Sequence, residues 1–155
     1  MDSQEYVDFR LTISPAQGEG LYAVKASSDV AGEASGIFEL PFDAMELENF
    51  VLKVGLTRRG TRRIGSPEGE AARKFGDRLY QALFTGQVRD CFLTSRSQVR
   101  GKFQVLRIKL ALTKGEILNY PWEFLYDADR DRFLTLYEDT PIVRYQWDMG
   151  DGTIL

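Results

Sequence analysis

The chain has 155 residues, 43% of them hydrophobic and 28% charged, with a net charge of −3. That length suits one domain burying roughly 70% of its unfolded surface, and no apolar run approaches the ~18 residues a membrane span needs. Histidine is absent and Cys91 is the sole cysteine, which excludes an internal disulfide, histidine-bearing zinc sites, and Ser-His-Asp or Cys-His nucleophiles within the chain.

Val7, Phe9, Leu11 and Ile13 alternate with Asp8, Arg10 and Thr12, the period-2 pattern of a strand with one wet face. Pro15 ends it, and "PAQGEG" reads as a turn. "LYAVKAS" is expected to pair with it antiparallel. The small, polar "DVAGEASG" predicts a loop. "IFELPF" predicts a third strand, with Pro41 marking its end or a sheet edge.

Asp43 and Glu46 have the spacing of a capping box. Met45, Leu47, Phe50, Val51 and Val54 then fall roughly on one helical face. Residues 53–69 read as a flexible basic loop. Ser66 is placed to cap the next helix, with Pro67 in its first turn. Ala72, Phe75, Leu79, Ala82 and Leu83 form its apolar stripe, and Gly86 is expected to mark its end. Val88, Cys91, Phe92, Ser95 and Val99 share one side of a further helix. Leu106, Ile108, Leu110 and Leu112 oppose Val105, Arg107 and Lys109 on a strand. "KGEILNYPWEFLY" predicts a turn and then a short helical or irregular step at Pro121, and "RFLTLY" and "PIVRY" predict short strands.

Charge is unevenly spread. Residues 1–52 hold ten acidic and two basic side chains, residues 53–112 four and fourteen, and residues 113–155 nine and four. Either the middle presents a basic partner-binding face, or the parts of one fold attract each other.

Four candidate sites follow. Asp127, Asp129, Asp131 and Glu138 match the acidic positions of a calcium loop. Arg132 stands where that loop needs glycine, and the flanks favour strands over helices, so a solvated turn is expected and no metal. Arg58, Arg59, Arg62 and Arg63 lie in a Gly-rich segment that would suit phosphate or nucleic acid. No aromatic residue interleaves with them to stack on bases, so nucleic acid is not the expected partner. Cys91, on an apolar helix stripe, reads as a small hydrophobe. Glu123 beside Trp122 has no evident second carboxylate and reads as structural.

"YPWEFLYDADRDRFLTLYEDTPIVRY" resembles the start of the CHAT family of caspase-like cysteine peptidases, in which a Leu-Pro-Trp-Glu step leads to "fLyd", "FLaLs" and "tpivRy" segments. Upstream, "FGDRLYQALFTGQVRDCFLTSRSQVRGKFQVLRIKLAL" is similar to that family's helix pair and following strand. The likeness covers about residues 70–145, with Tyr120 in place of the usual leucine. Residues 1–66 match only in general character. The family cleaves peptide bonds with a Cys-His dyad downstream of this segment, so no catalytic residue carries over.

The resemblance implies architectural roles for Pro121, Trp122, Glu123, Phe124, Leu125, Arg144 and Tyr145. Trp122 would anchor a core, and Glu123 and Arg144 would be charge partners. Together these readings predict a single α+β domain. It comprises a β-rich lead-in (1–52) with an antiparallel meander, the basic loop (53–69), a CHAT-like segment with the central helices (70–145), and a tail (146–155). The C-terminal strands would join or flank a caspase-like domain. The expected function is that of a non-catalytic accessory, regulatory or protein-interaction domain, cytoplasmic and without a cofactor. Its expected partner is a caspase-like catalytic domain, in cis or in trans, or a second copy. Contacts are expected around Ile142–Trp147 or at the arginines. The alternatives are a stand-alone ligand- or nucleic-acid-binding module using the basic loop, and an enzyme working with carboxylates alone.

Overall fold

Alternation of apolar and polar side chains gives the sheet one dry face and one wet face. The computed structural model describes residues 5–56, 67–113, 115–134 and 142–146. Strands β1 (Tyr6–Pro15), β2 (Leu21–Ser28) and β3 (Gly32–Glu39) form an antiparallel meander. β4 (Val105–Leu112) pairs parallel to β1, and β7 (Ile142–Gln146) parallel to β4, so the five-stranded order is β3-β2-β1-β4-β7. β5 (Tyr126–Asp127) and β6 (Arg132–Phe133) make a separate two-stranded ladder. The α+β class predicted from the sequence is observed.

Helices α1 (Ala44–Leu56), α2 (Pro67–Leu83) and α3 (Gly86–Arg100) separate β3 from β4. The dry face of the sheet buries Phe9, Leu11, Ile13, Leu106, Ile108 and Leu110 in one core with α2 and α3. The buried side chains of α3 are Val88, Cys91, Phe92, Ser95 and Val99, the set that the helical period singles out. Burying an apolar stripe of this kind, rather than intrinsic propensity, supplies most of a helix's stability in a folded protein. On the wet face, Asp8 holds Arg107 at 2.9 Å and Lys109 at 3.1 Å. Burial alone would raise the Asp8 pKa, but these two cations outweigh it and hold the carboxyl below its usual value.

The first helix is capped as expected. The Glu46 N–H donates to Asp43 Oδ1 at 2.7 Å, and the Asp43 N–H donates to Glu46 Oε1 at 3.2 Å. Its apolar stripe, however, is not wholly buried. Phe50 stacks on Phe75 at 3.9 Å, while Met45 is 72% exposed and Val51 48%. A period-3.6 pattern gives the face of a helix but not what covers it.

Four boundaries need correction. "GEASG", expected as a loop, is the first part of β3 and pairs with β2 from Ser28↔Gly32 to Val24↔Gly36. These residues have low strand propensity, and the ladder with β2 supplies what propensity does not. Gly36 also lets α3 approach, since a Cβ there would sit 3.1 Å from Val88 Cγ2. The expected basic loop at 53–69 is narrower, because α1 runs to Leu56 and α2 begins at Pro67. Gly86 opens α3, with φ 48°, whereas α2 ends at Leu83.

Candidate functional site

The segment from Ile117 to Leu134 follows β4 and contributes Ile117, Tyr120, Trp122, Phe124, Leu125, Tyr126, Phe133 and Leu134 to the core. Two short 3-10 turns, Glu116–Asn119 and Trp122–Phe124, flank Pro121. Trp122 is fully buried, its Nε1–H donates to the Ile117 carbonyl at 2.9 Å, and its ring lies 5.6 Å from Phe38. The Tyr120 hydroxyl donates to the Phe42 carbonyl at 3.1 Å. Pro121, Phe124 and Leu125 are buried, whereas Glu123 is exposed.

This segment lies directly on α2. A Cβ at Gly76 would stand 1.9 Å from the Phe124 carbonyl oxygen and 2.8 Å from Tyr126 Cβ. Only glycine admits such an approach of backbone to helix.

The acidic turn is clamped by α3. Arg96 donates to Asp127 Oδ2 at 2.9 Å, with side-chain exposures of 14% and 1%. Arg89 donates to Asp129 Oδ2 at 2.9 Å. The two arginines are seven residues apart and so share a helix face. Asp127 Oδ1 accepts the Asp129 N–H at 3.1 Å, and the Tyr126 hydroxyl donates to Asp131. Asp127, Asp129 and Asp131, the described carboxylates of the apparent calcium loop, are therefore engaged by arginines, a tyrosine and backbone. Its flanks are the β5–β6 ladder, and Asp131 takes φ 52°. Among the described residues no group of three carboxylate or thiol side chains converges as a metal site requires.

The clamp also affects two tyrosines. Burial, then the Asp127 charge, pushes the Tyr80 pKa up to about 12, against the opposing pull of Arg96 and Arg89. Burial, then the hydrogen bond to Asp131 and its charge, pushes Tyr126 up to about 12. In the unfolded chain both ionise near 10. The folded state therefore holds these protons more tightly. The associated stability is complete below about pH 10 and is lost as pH rises through about 12. Thermal melts between pH 9 and 12 should show a falling transition temperature. In the double variant Tyr80→Phe/Tyr126→Phe the alkaline slope should flatten, and an unchanged slope would refute the assignment.

Cys91 is buried against β3, its thiol 3.7 Å from the Gly32 carbonyl. Burial raises its pKa, partly offset by Ser95, so the thiol form is favoured and the nucleophilic thiolate is not. Ser95 donates to the Cys91 carbonyl and meets Ser28 Oγ at 2.7 Å. These contacts are a closed polar link between α3 and β2.

Of the remaining candidates, Ile142, Arg144 and Tyr145 lie on β7, opposite Ile108, Leu110 and Ala111 of β4. The side chains of β7 fall outside those described, and with them the expected Glu123–Arg144 pairing. Arg58, Arg59, Arg62, Arg63, Glu138 and Trp147 lie outside the described residues. No described helix is long and apolar enough to cross a membrane.

The sequence reading did not single out Gly76, Arg89 or Arg96. One signal was present, the opposite charge of successive segments. Arg78–Glu46, Arg107–Asp8 and Lys109–Asp8 tie the basic middle to the acidic start, and Arg89–Asp129 and Arg96–Asp127 tie it to the acidic end. Comparison of the chain with protein families, with curated proteins and with solved structures finds no match.

Proposed function

We propose that this chain is a non-catalytic accessory domain of a CHAT-type caspase-like protease system, binding a caspase-like catalytic domain through the edge of its sheet. The observation that carries the reading is the position of β7. The "PIVRY" stretch of the resemblance supplies this strand, which is the last in the sheet and parallel to β4. Among the described residues no strand pairs with its outer side. An edge of this kind presents N–H and C=O groups in a row, and strand addition by a partner satisfies them.

Two further features support a scaffold role. The chain has no histidine, and its one thiol is buried and held protonated. The step from Tyr120 to Asp127 is devoted to packing on α2, α3 and the sheet.

The test is light scattering on the purified chain mixed with a caspase-like polypeptide encoded beside it. A stoichiometric complex is expected, and proline substitutions through Val143–Tyr145 should abolish it at alternate positions. Only outward N–H groups are available to a new strand, and they alternate along β7. Two unassociated species in the mixture would overturn the reading.

A further inference from the structure

The wet face of the sheet carries a polar hollow of ≈ 440 Å³. Thr12, Lys25, Ser27, Glu33 and Ser35 line it, and Ala26 and Ala34 complete the lining. The register explains how these residues meet. Thr12 pairs with Lys25, and Lys25 with Ser35, in one row across β1, β2 and β3, while Ser27 pairs with Glu33 in a neighbouring row. Alternation along each strand puts all five polar side chains on the side away from the core. The serines and the threonine are short, so the centre stays open between the longer Lys25 and Glu33. The volume falls in the range of about 300–1,000 Å³ typical of small-molecule sites.

Other charges on this face are paired. Asp8 holds Arg107 at 2.9 Å and Lys109 at 3.1 Å, and Arg10 lies 3.8 Å from Asp8 and 4.0 Å from Asp29. Lys25 and Glu33 differ. They are diagonal neighbours on β2 and β3, yet among the described residues neither forms an ion pair. The hydroxyls of Thr12, Ser27 and Ser35 likewise make no hydrogen bond to a described residue. One hollow therefore offers an ammonium, a carboxylate and three hydroxyls, none of them engaged within the described fold.

This mixture of charges narrows the ligand. A simple oxyanion bound to Lys25 would meet the Glu33 carboxylate. A metal ion would meet the Lys25 ammonium and find one carboxylate where such ions take several oxygen ligands. A sugar ring would find no aromatic face among the lining residues. A molecule carrying both charges satisfies both groups, through charge-assisted hydrogen bonds at each end. The Cβ atoms of diagonal neighbours stand about 7–8 Å apart. Two extended residues span at most about 7 Å, so the charged ends of a dipeptide match this spacing.

We propose that this hollow binds a zwitterionic dipeptide, with its carboxylate on Lys25, its ammonium on Glu33 and its central amide hydrogen-bonded by the hydroxyls of Thr12, Ser27 and Ser35. The hydroxyls both donate and accept, so they suit an amide, which presents one N–H and one C=O. The site is built from β1, β2 and β3 and does not involve β7, so it stands or falls independently of binding to a caspase-like partner.

Titration of the full chain with glycylglycine, followed by amide proton–nitrogen NMR, tests this. Saturable shifts are expected at Lys25, Ser27, Glu33 and Ser35, with a Kd on the order of 1 mM. N-acetylglycylglycine lacks the ammonium and glycylglycine amide lacks the carboxylate. Each should bind the wild type about tenfold more weakly, the worth of one hydrogen bond to a charged group. Lys25→Gln and Glu33→Gln, at exposed positions, should each weaken glycylglycine binding by a similar factor. In Glu33→Gln the acetylated and free peptides should bind alike, because the group that reads the ammonium is gone. Wild type that shows no saturable shift overturns the proposal. So do blocked peptides that bind the wild type as well as glycylglycine does, a result that needs no variant. Undiminished glycylglycine binding by either variant also overturns it, as does a Glu33→Gln variant that still discriminates against the acetylated peptide.

Discussion

Gly76→Ala is expected to destabilise the protein by about 3 kcal/mol or more, at the upper end of overpacking costs. On helix propensity alone the same substitution in α2 would be favourable by about 1 kcal/mol. The sign reverses because the added methyl group would sit 1.9 Å from the Phe124 carbonyl oxygen. The obstacle is backbone, which no change of rotamer can move aside. Nor is that backbone free to slide. The Leu125 N–H donates to the Trp122 carbonyl, the Leu134 N–H donates to the Leu125 carbonyl, and the Phe124 ring packs edge-on against Phe50 and Phe133. For a domain of this size the loss corresponds to a fall in melting temperature of roughly 10 °C. A Gly76→Ala variant melting at or above the wild-type temperature would show that the segment is not seated on α2 as described.

Arg96→Ala should cost about 3 kcal/mol, the range for removing one member of a buried ion pair. The loss is not the worth of the pair itself. It is the penalty of leaving the Asp127 carboxylate, 1% exposed, to the Asp129 N–H with no described cation beside it to replace Arg96. Arg96 also lies over the Phe92 ring at 5.1 Å, so its removal takes packing with it. The double variant Arg96→Met/Asp127→Asn should therefore be more stable than Arg96→Ala alone, since no unpaired charge remains and the asparagine oxygen can still accept the Asp129 N–H. Urea melts of the wild type, Arg96→Met, Asp127→Asn and the double variant complete a thermodynamic cycle. Strictly additive losses would refute the coupling. Arg89→Ala is the internal control, because its partner Asp129 is exposed and exposed pairs contribute at most about 1 kcal/mol.

These two predictions bear on the apparent calcium loop. Spacing places Asp127, Asp129 and Asp131 at ligand positions, but spacing alone does not say which cation answers them. In the folded chain guanidinium groups of α3 answer Asp127 and Asp129. The expectation of a turn without metal rested on Arg132 and on the strand-like flanks. The arginine clamp is a separate observation, and it gives the turn a structural task, that of fixing the β5–β6 ladder against α3.

The local features were legible because their physics is local. Alternation in β1 and β4, the α3 stripe of Val88, Cys91, Phe92, Ser95 and Val99, and the Asp43–Glu46 capping box each involve residues within about three helical turns of one another in the chain. A repeat of 2 or 3.6 residues is enough to predict which side chains share a face. The irregular step at Pro121 was legible for the same reason, since proline restricts its own backbone and that of the residue before it.

The rest depended on contacts between residues far apart in the chain. β1 and β4 meet in parallel, Tyr6 opposite Val105 and Ile13 opposite Leu112, and no local pattern encodes a partner about a hundred residues away. "GEASG" reads as a loop until β2 lies beside it, because its strand state comes from the ladder and not from its own side chains. Gly76 is an ordinary helix weakener until Phe124 approaches, and Phe103 an ordinary turn residue until its backbone turns left-handed. Composition and periodicity determined an α+β domain with one dry sheet face and no histidine chemistry. Only the tertiary structure decided which charges meet, where a methyl group cannot fit and which apolar side chains stay in water, because those depend on distances across the fold that no stretch of chain carries within itself.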